Sequence, residues 1–156
     1  MRYATCAGEN ATSAETTTEA GTYAKCLGIK QCYYENDRWA GAVEACGGVD
    51  KMPDESDLTA LAQLLYPSIT VAGTGYTYCP KDENNNYTTC RETEKALSLG
   101  LTNSSGTLTD SQSFYVWSGV ENSSDFAYNR YFNPTYTIRG NSTRNGSSQL
   151  AVCSGE

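Results

Sequence analysis

The 156-residue chain contains no histidine. That absence removes the Ser-His and Cys-His nucleophile systems, which need an imidazole to take up the proton. No C-x-x-C pair occurs among the cysteines at 6, 26, 32, 46, 79, 90 and 153. Zinc sites draw on such close pairs, usually with histidine beside them, so disulfides explain these cysteines better than metal or redox chemistry. Long apolar runs are missing too, and none approaches the roughly 20 residues that a bilayer-spanning helix needs. Positive charge is scarce: 11 Lys and Arg stand against 18 Asp and Glu, for a net charge of −7. With no basic cluster to oppose that field, nucleic acid is not expected as a partner.

What remains is cysteine and polar surface. Seven cysteines without metal spacing read as disulfides, which form in an oxidising compartment, so the expected location is extracellular or at the cell surface. The pairs expected are Cys46 with Cys153, Cys79 with Cys90, and Cys26 with Cys32, leaving Cys6 over. A secretion signal or membrane stalk is expected to have stood before Met1, and membrane contact would come only through it. The length suits one domain over residues 1–156, with a loosely structured lead-in at 1–31.

Along the chain, residues 23–35 place Cys26 and Cys32 between short apolar pieces, which suits a small tied hairpin. A first helix follows, capped by Asn36 or Asp37, with Trp39, Ala42, Val43 and Cys46 on one face. Gly47-Gly48 ends it. Asp54 caps a second helix with Glu55 and Asp57 in its positive first turn, and Pro67 stops it. Its buried stripe is Leu58, Leu61, Ala62 and either Leu64 or Leu65. Residues 68–112 form a long connection, braced by Cys79–Cys90 and carrying a short helix at Glu92–Leu99.

The C-terminal third has the most pattern. Phe114-Tyr115-Val116-Trp117 suits a buried strand. Tyr128, Arg130 and Phe132 then point one way, and Asn129, Tyr131 and Asn133 the other. A polar span, Asn133 to Ser148, leads to a short apolar strand ending at Cys153. Arg130 on the inward side needs a partner or an edge for its head group.

Three runs carry a family likeness. CYYENDRWAGAVEAC (32–46) resembles the opening of C-type-lectin-like domains. MPDESDLTALAQLLY (52–66) resembles the second helix of the bacterial branch of that fold, with Met52 for the usual Leu and Leu58 for the usual Trp. FYVWSGVENSSDFAYNRYF (114–132), with the closing AVC, is similar to the ending of the Fibrobacter-type major paralogous domain family. The likeness covers residues 32–153 and implies an α+β, C-type-lectin-like fold: two helices packed on a small twisted antiparallel sheet with long loops. It also implies a C-terminal stretch of the kind that retroelement-driven mutagenesis diversifies in some lectin-like proteins.

Calcium-dependent sugar binding would need motifs that are absent here. Asp82-x-Asn84-x-Asn86 imitates the start of an EF-hand loop, but Tyr87 stands where glycine is needed and Thr93 where glutamate is. Neither a metal nor another cofactor is therefore expected, and the carboxylates at 54, 55 and 57 are explained by capping. The expected function is not enzymatic. It is a secreted or surface-displayed bacterial binding module, adhesin-like or pilin-tip-like, gripping a protein or glycan through its C-terminal hairpins. Tyr, Asn, Ser and Arg are the residues of recognition surfaces. The ligand-binding residues expected are Asn122, Asp125, Asn129, Tyr131, Asn133, Tyr136, Arg139, Asn141 and Arg144. The alternative is a structural surface subunit such as a minor pilin or tail-fibre component.

Overall fold

The computed structural model describes residues 12–15, 24–27, 38–46, 48–73, 75–103, 105–144 and 149–153. Two strands come first, β1 (Thr12–Glu15) and β2 (Ala24–Leu27), then helix α1 (Arg38–Cys46) and a 3-10 turn at Val49–Lys51. Helix α2 (Glu55–Leu65) follows, with β3 (Thr70–Val71), β4 (Tyr76–Tyr78) and the short α3 (Thr93–Ser98). Three long strands, β5 (Phe114–Glu121), β6 (Phe126–Asn133) and β7 (Tyr136–Thr143), precede two short ones, β8 (Gln149–Leu150) and β9 (Val152–Cys153). The main sheet has six strands in the order β3-β4-β7-β6-β5-β8, and β1-β2-β9 form a smaller one. The architecture is α+β.

Capping sets the start of α2. The Asp54 carboxylate accepts the Asp57 amide at 2.8 Å, and Asp57 accepts the Asp54 amide in return at 3.0 Å. Leu58, Leu61, Ala62 and Leu65 are buried, so the last position of the stripe is Leu65 rather than Leu64. These residues share one apolar core with Phe114, Val116 and Phe132 of the sheet. Tyr66 follows directly, its ring 6.4 Å from Phe132 and its hydroxyl donating to the Asn133 carbonyl at 2.7 Å. Helix α2 therefore lies over the sheet face that carries Phe132 and Arg130.

Helix α1 buries Trp39, Ala42 and Cys46, as its spacing requires. Its first-turn amide at Trp39 donates to the Arg144 carbonyl, and the Trp39 indole donates to the Ser118 carbonyl. The Gly48 amide returns to the Val43 carbonyl, the six-residue closure of a Schellman ending. Cys46 is bonded to Cys153, 107 residues away, and Cys79 to Cys90. The expected caps Asn36 and Asp37, Cys6, and the Cys26–Cys32 pairing lie outside the described residues.

Gly119 lets the α1–α2 connection sit directly on β5. A Cβ there would lie 2.6 Å from Met52 Cβ and 2.8 Å from the Val49 carbonyl oxygen. The register of β5 on β6 shifts between Trp117 and Glu121 at this same place.

Two expectations need correction. The sheet is mixed rather than antiparallel, because β8 runs parallel to β5. The lead-in at 1–31 holds β1 and β2, and β2 pairs with β9 beside the Cys46–Cys153 bridge. Cys26 is in register with Ser13 across β1 and β2, and the rest of the expected 23–35 hairpin lies outside the described residues. Most of the polar span after Asn133 is strand β7, paired with β6 along its whole length and with β4 on its other edge. Backbone pairing with β6 throughout, and with β4 over residues 136–138, keeps that segment extended.

Candidate functional site

Register and alternation divide the main sheet into two faces. Phe114 pairs with Phe132, Val116 with Arg130, Arg130 with Arg139 and Phe132 with Thr137, so these share the α2 side. Tyr115 pairs with Tyr131, Tyr131 with Ile138, Asn133 with Tyr136 and Tyr136 with Tyr78, so these share the opposite side.

On the α2 side the Arg130 guanidinium is fully buried. Its Nε donates to Thr137 Oγ1 at 3.0 Å and Nη1 to Thr59 Oγ1 at 3.3 Å, with Glu55 Oε1 3.5 Å from Nη1. Burial pulls its pKa below the usual value, and the Glu55 charge opposes that. Among the described residues, neither Arg130 Nη2 nor Glu55 Oε2 has a hydrogen-bond partner. Near this pair lies a cavity of about 30 Å³, lined by Glu55, Ser118, Val120, Tyr128 and Arg139, with room for about two water molecules. It is too small for a sugar ring or a side chain of any length.

The opposite face is paved with tyrosine. Tyr115 and Tyr131 rings lie 4.8 Å apart, Tyr131 and Tyr136 5.9 Å, and Tyr136 and Tyr76 6.3 Å. Tyr76 and Tyr78 are 5.6 Å apart, and Tyr78 and Tyr87 5.7 Å. The strip thus crosses β5, β6, β7 and β4 and ends beyond the sheet at Tyr87, where the Lys81 ammonium sits 4.9 Å above the ring. None of these six rings is buried: Tyr87 is 45% exposed and the rest are half-buried. Ser113 and Asn133 hold the Tyr131 phenol, at 3.0 and 3.2 Å. Burial, then repulsion from neighbouring phenols, raises the pKa of Tyr115, and the same causes raise that of Tyr76. Both stay neutral at physiological pH.

The nine residues expected to bind a ligand do not form one surface. Tyr131, Asn133 and Tyr136 come together on the tyrosine face. Asn129 shares that face but is buried, which corrects its expected outward position. Its Nδ2 donates to Ser142 Oγ at 2.8 Å, and it fills the space that a Cβ on Gly140 would occupy. Arg139 and Asn141 fall on the opposite face, because Arg139 pairs with Arg130 and Asn141 with Tyr128. Arg139 lies over the Tyr128 ring at 4.8 Å. Asn122 and Asp125 occupy the exposed β5–β6 turn, where Asn122 accepts the Tyr128 hydroxyl at 3.1 Å. Arg144 is structural: it pairs with Glu121, its guanidinium covers the Trp39 ring at 4.7 Å, and its amide donates to the Asp125 carbonyl.

Tyr76, Tyr78, Tyr87 and Tyr115 were not among the expected site residues. The i, i+2 spacing of Tyr76 and Tyr78 is the signal that could have found two of them. Asp82, in the imitation of an EF-hand, accepts the Asn84 and Asn86 amides on one carboxylate oxygen and so caps its own turn. Searches against family models, curated proteins and solved structures find no match for this chain.

Proposed function

We propose that this chain is a non-enzymatic binding module with a C-type-lectin-like fold, secreted or displayed on a cell surface, that grips a protein or glycan with its tyrosine face. The observation that carries this reading is the half-exposed strip of six tyrosines across four strands and the neighbouring turn. A sheet needs no aromatic ladder on a face that stays open to solvent, and open aromatic area marks contact sites. Tyrosine gives large, rigid contact area at low entropy cost, which is why recognition surfaces favour it. The two disulfides fit an oxidising compartment, and no helix among the described residues is long and apolar enough to cross a membrane. The site residues under this reading are Tyr76, Tyr78, Tyr87, Tyr115, Tyr131 and Tyr136, with Asn133 at the edge.

The test is an array of glycans and cell-surface proteins probed with the native chain and with a Tyr131→Ala/Tyr136→Ala double variant. The expected result is a ligand that the native chain holds and the folded double variant does not. A ligand held equally by both would place recognition elsewhere and refute the proposal.

A further inference from the structure

We infer that the partner on this face is a protein presenting lysine and arginine side chains, whose ammonium and guanidinium groups seat on the tyrosine rings. The inference rests on the binding-surface reading above and narrows it to one class of occupant. Charge complementarity is the first support. The chain carries a net charge of −7, and exposed carboxylates stand near both ends of the strip. Asp82 and Glu83 sit on the turn next to Tyr87, and Asp110 lies just before Ser113 at the other end. Between them lie the six partly exposed rings, and the electron-rich face of a tyrosine ring attracts an organic cation.

The chain itself uses this contact repeatedly. Lys81 lies over Tyr87, Arg139 over Tyr128 and Arg144 over Trp39, at 4.7–4.9 Å. The strip also contains perpendicular neighbours. Tyr131 meets Tyr136 at 66° and Tyr78 meets Tyr87 at 65°, an arrangement in which neighbouring rings differ in the direction of their faces, and at Tyr87 the cation is the chain's own Lys81.

The polar groups beside the rings favour a cationic protein over a neutral glycan. Asn133 Nδ2 donates to Tyr131, and its Oδ1 accepts both the amide and the hydroxyl of Thr135. Ser113 is held by the Tyr131 phenol. These groups are occupied with one another, so beyond the phenol hydroxyls of the other tyrosines the strip offers ring area. Sugar hydroxyls need directional polar partners to be distinguished, whereas a lysine or arginine needs the ring face and the surrounding negative field.

The experiment titrates the full, disulfide-intact chain with short oligoarginine and oligolysine peptides, with oligoglutamate and maltohexaose as controls. Tyrosine fluorescence and the ring resonances in NMR report binding. The native chain should bind the basic peptides, more weakly as salt rises, and neither control. Tyr131→Phe and Tyr136→Phe should bind as the native chain does, because the ring face is kept. Tyr131→Leu and Tyr136→Leu should each weaken binding about fivefold. Basic peptides that fail to bind, or that bind the leucine variants as well as the native chain, overturn the inference. Maltohexaose binding that is lost in the leucine variants, without basic-peptide binding, also overturns it while leaving the tyrosine face as the binding surface.

Discussion

Glu55→Gln should destabilise this domain more than Arg130→Met, although the two residues form one ion pair. The asymmetry follows from burial. Arg130 is fully buried, and Glu55 is the carboxylate that pairs with it, at 3.5 Å; the Glu55 side chain is 27% exposed. Removing the carboxylate leaves a guanidinium inside the protein with only two threonine hydroxyls for company, and uncompensated buried charge costs about 3 kcal/mol. Removing the guanidinium leaves a carboxylate on a side chain that is 27% exposed and stands at the first residue of α2, where the helix dipole favours it by about 0.3–1 kcal/mol. Methionine also fills the channel that the arginine stem occupies, so Arg130→Met should cost only about 1 kcal/mol. For a domain of this size each kcal/mol lowers Tm by about 2–4 °C. Thermal unfolding should therefore place Glu55→Gln about 6–12 °C below the native chain and Arg130→Met about 2–4 °C below it. The double variant should lie near Arg130→Met alone, because the second change then has no cation to strand. If Arg130→Met unfolds at least as early as Glu55→Gln, the guanidinium is held by its threonine bonds and not by charge pairing, and the reasoning fails.

The other predictions test the register, the bridge and the cap. Phe132→Ala should cost about 3–5 kcal/mol, since its ring is buried and stacks on Phe114 at 4.8 Å, whereas half-buried Tyr131→Ala should cost about 1 kcal/mol; urea unfolding that reverses this order would exchange the two faces. Replacing Cys46 and Cys153 together by serine opens a loop 107 residues long, so the loss should approach about 4–5 kcal/mol, and non-reducing peptide mapping of the native chain should recover the two cysteines in one fragment. Asp54→Ala should cost about 1 kcal/mol by denaturant unfolding. Hydrogen bonds from the Asp57 amide hold the Asp54 pKa below its ordinary 3.8, so its contribution is present above that pH and fades as pH falls through the lower folded value. The Asp54→Ala variant should consequently approach native stability in acid, and a gap that widened there would contradict the cap.

The helices were legible because their signals are local. The Asp54 cap, the Leu58, Leu61 and Ala62 spacing and the Trp39 stripe each lie within a few turns of chain, and the structure places them as read. The Cys46–Cys153 and Cys79–Cys90 bridges were legible too, from cysteines set against elements already recognised. Asn129 was misread by a general assumption that polar alternation faces water. Its partners are Ser142 and the bare backbone of Gly140, and neither reveals itself until β6 and β7 are in register.

The extent of the tyrosine face was hidden for a related reason. The core-facing side of strand β7 is not apolar: Thr137 points to the core, where it is satisfied by Thr77 at 2.6 Å, and the residues that follow it on that side are Arg139, Asn141 and Thr143, while Tyr136 and Ile138 lie on the outer side. Periodicity that rests on hydrophobicity cannot find such a strand. Yet β7 is the element that brings β4 alongside β6, joining Tyr78 to Tyr136 and Thr77 to Thr137, 60 residues apart. Tyr131 and Tyr136 could be singled out from one hairpin. Tyr76, Tyr78 and Tyr87 become part of the same surface only through that long-range pairing, which extends two half-buried aromatics into a strip. A face assembled by topology in this way can vary its tyrosines without disturbing the core, because the inward and outward residues of every strand alternate. Changes at Tyr76 or Tyr136 should accordingly alter what is bound before they alter whether the chain folds.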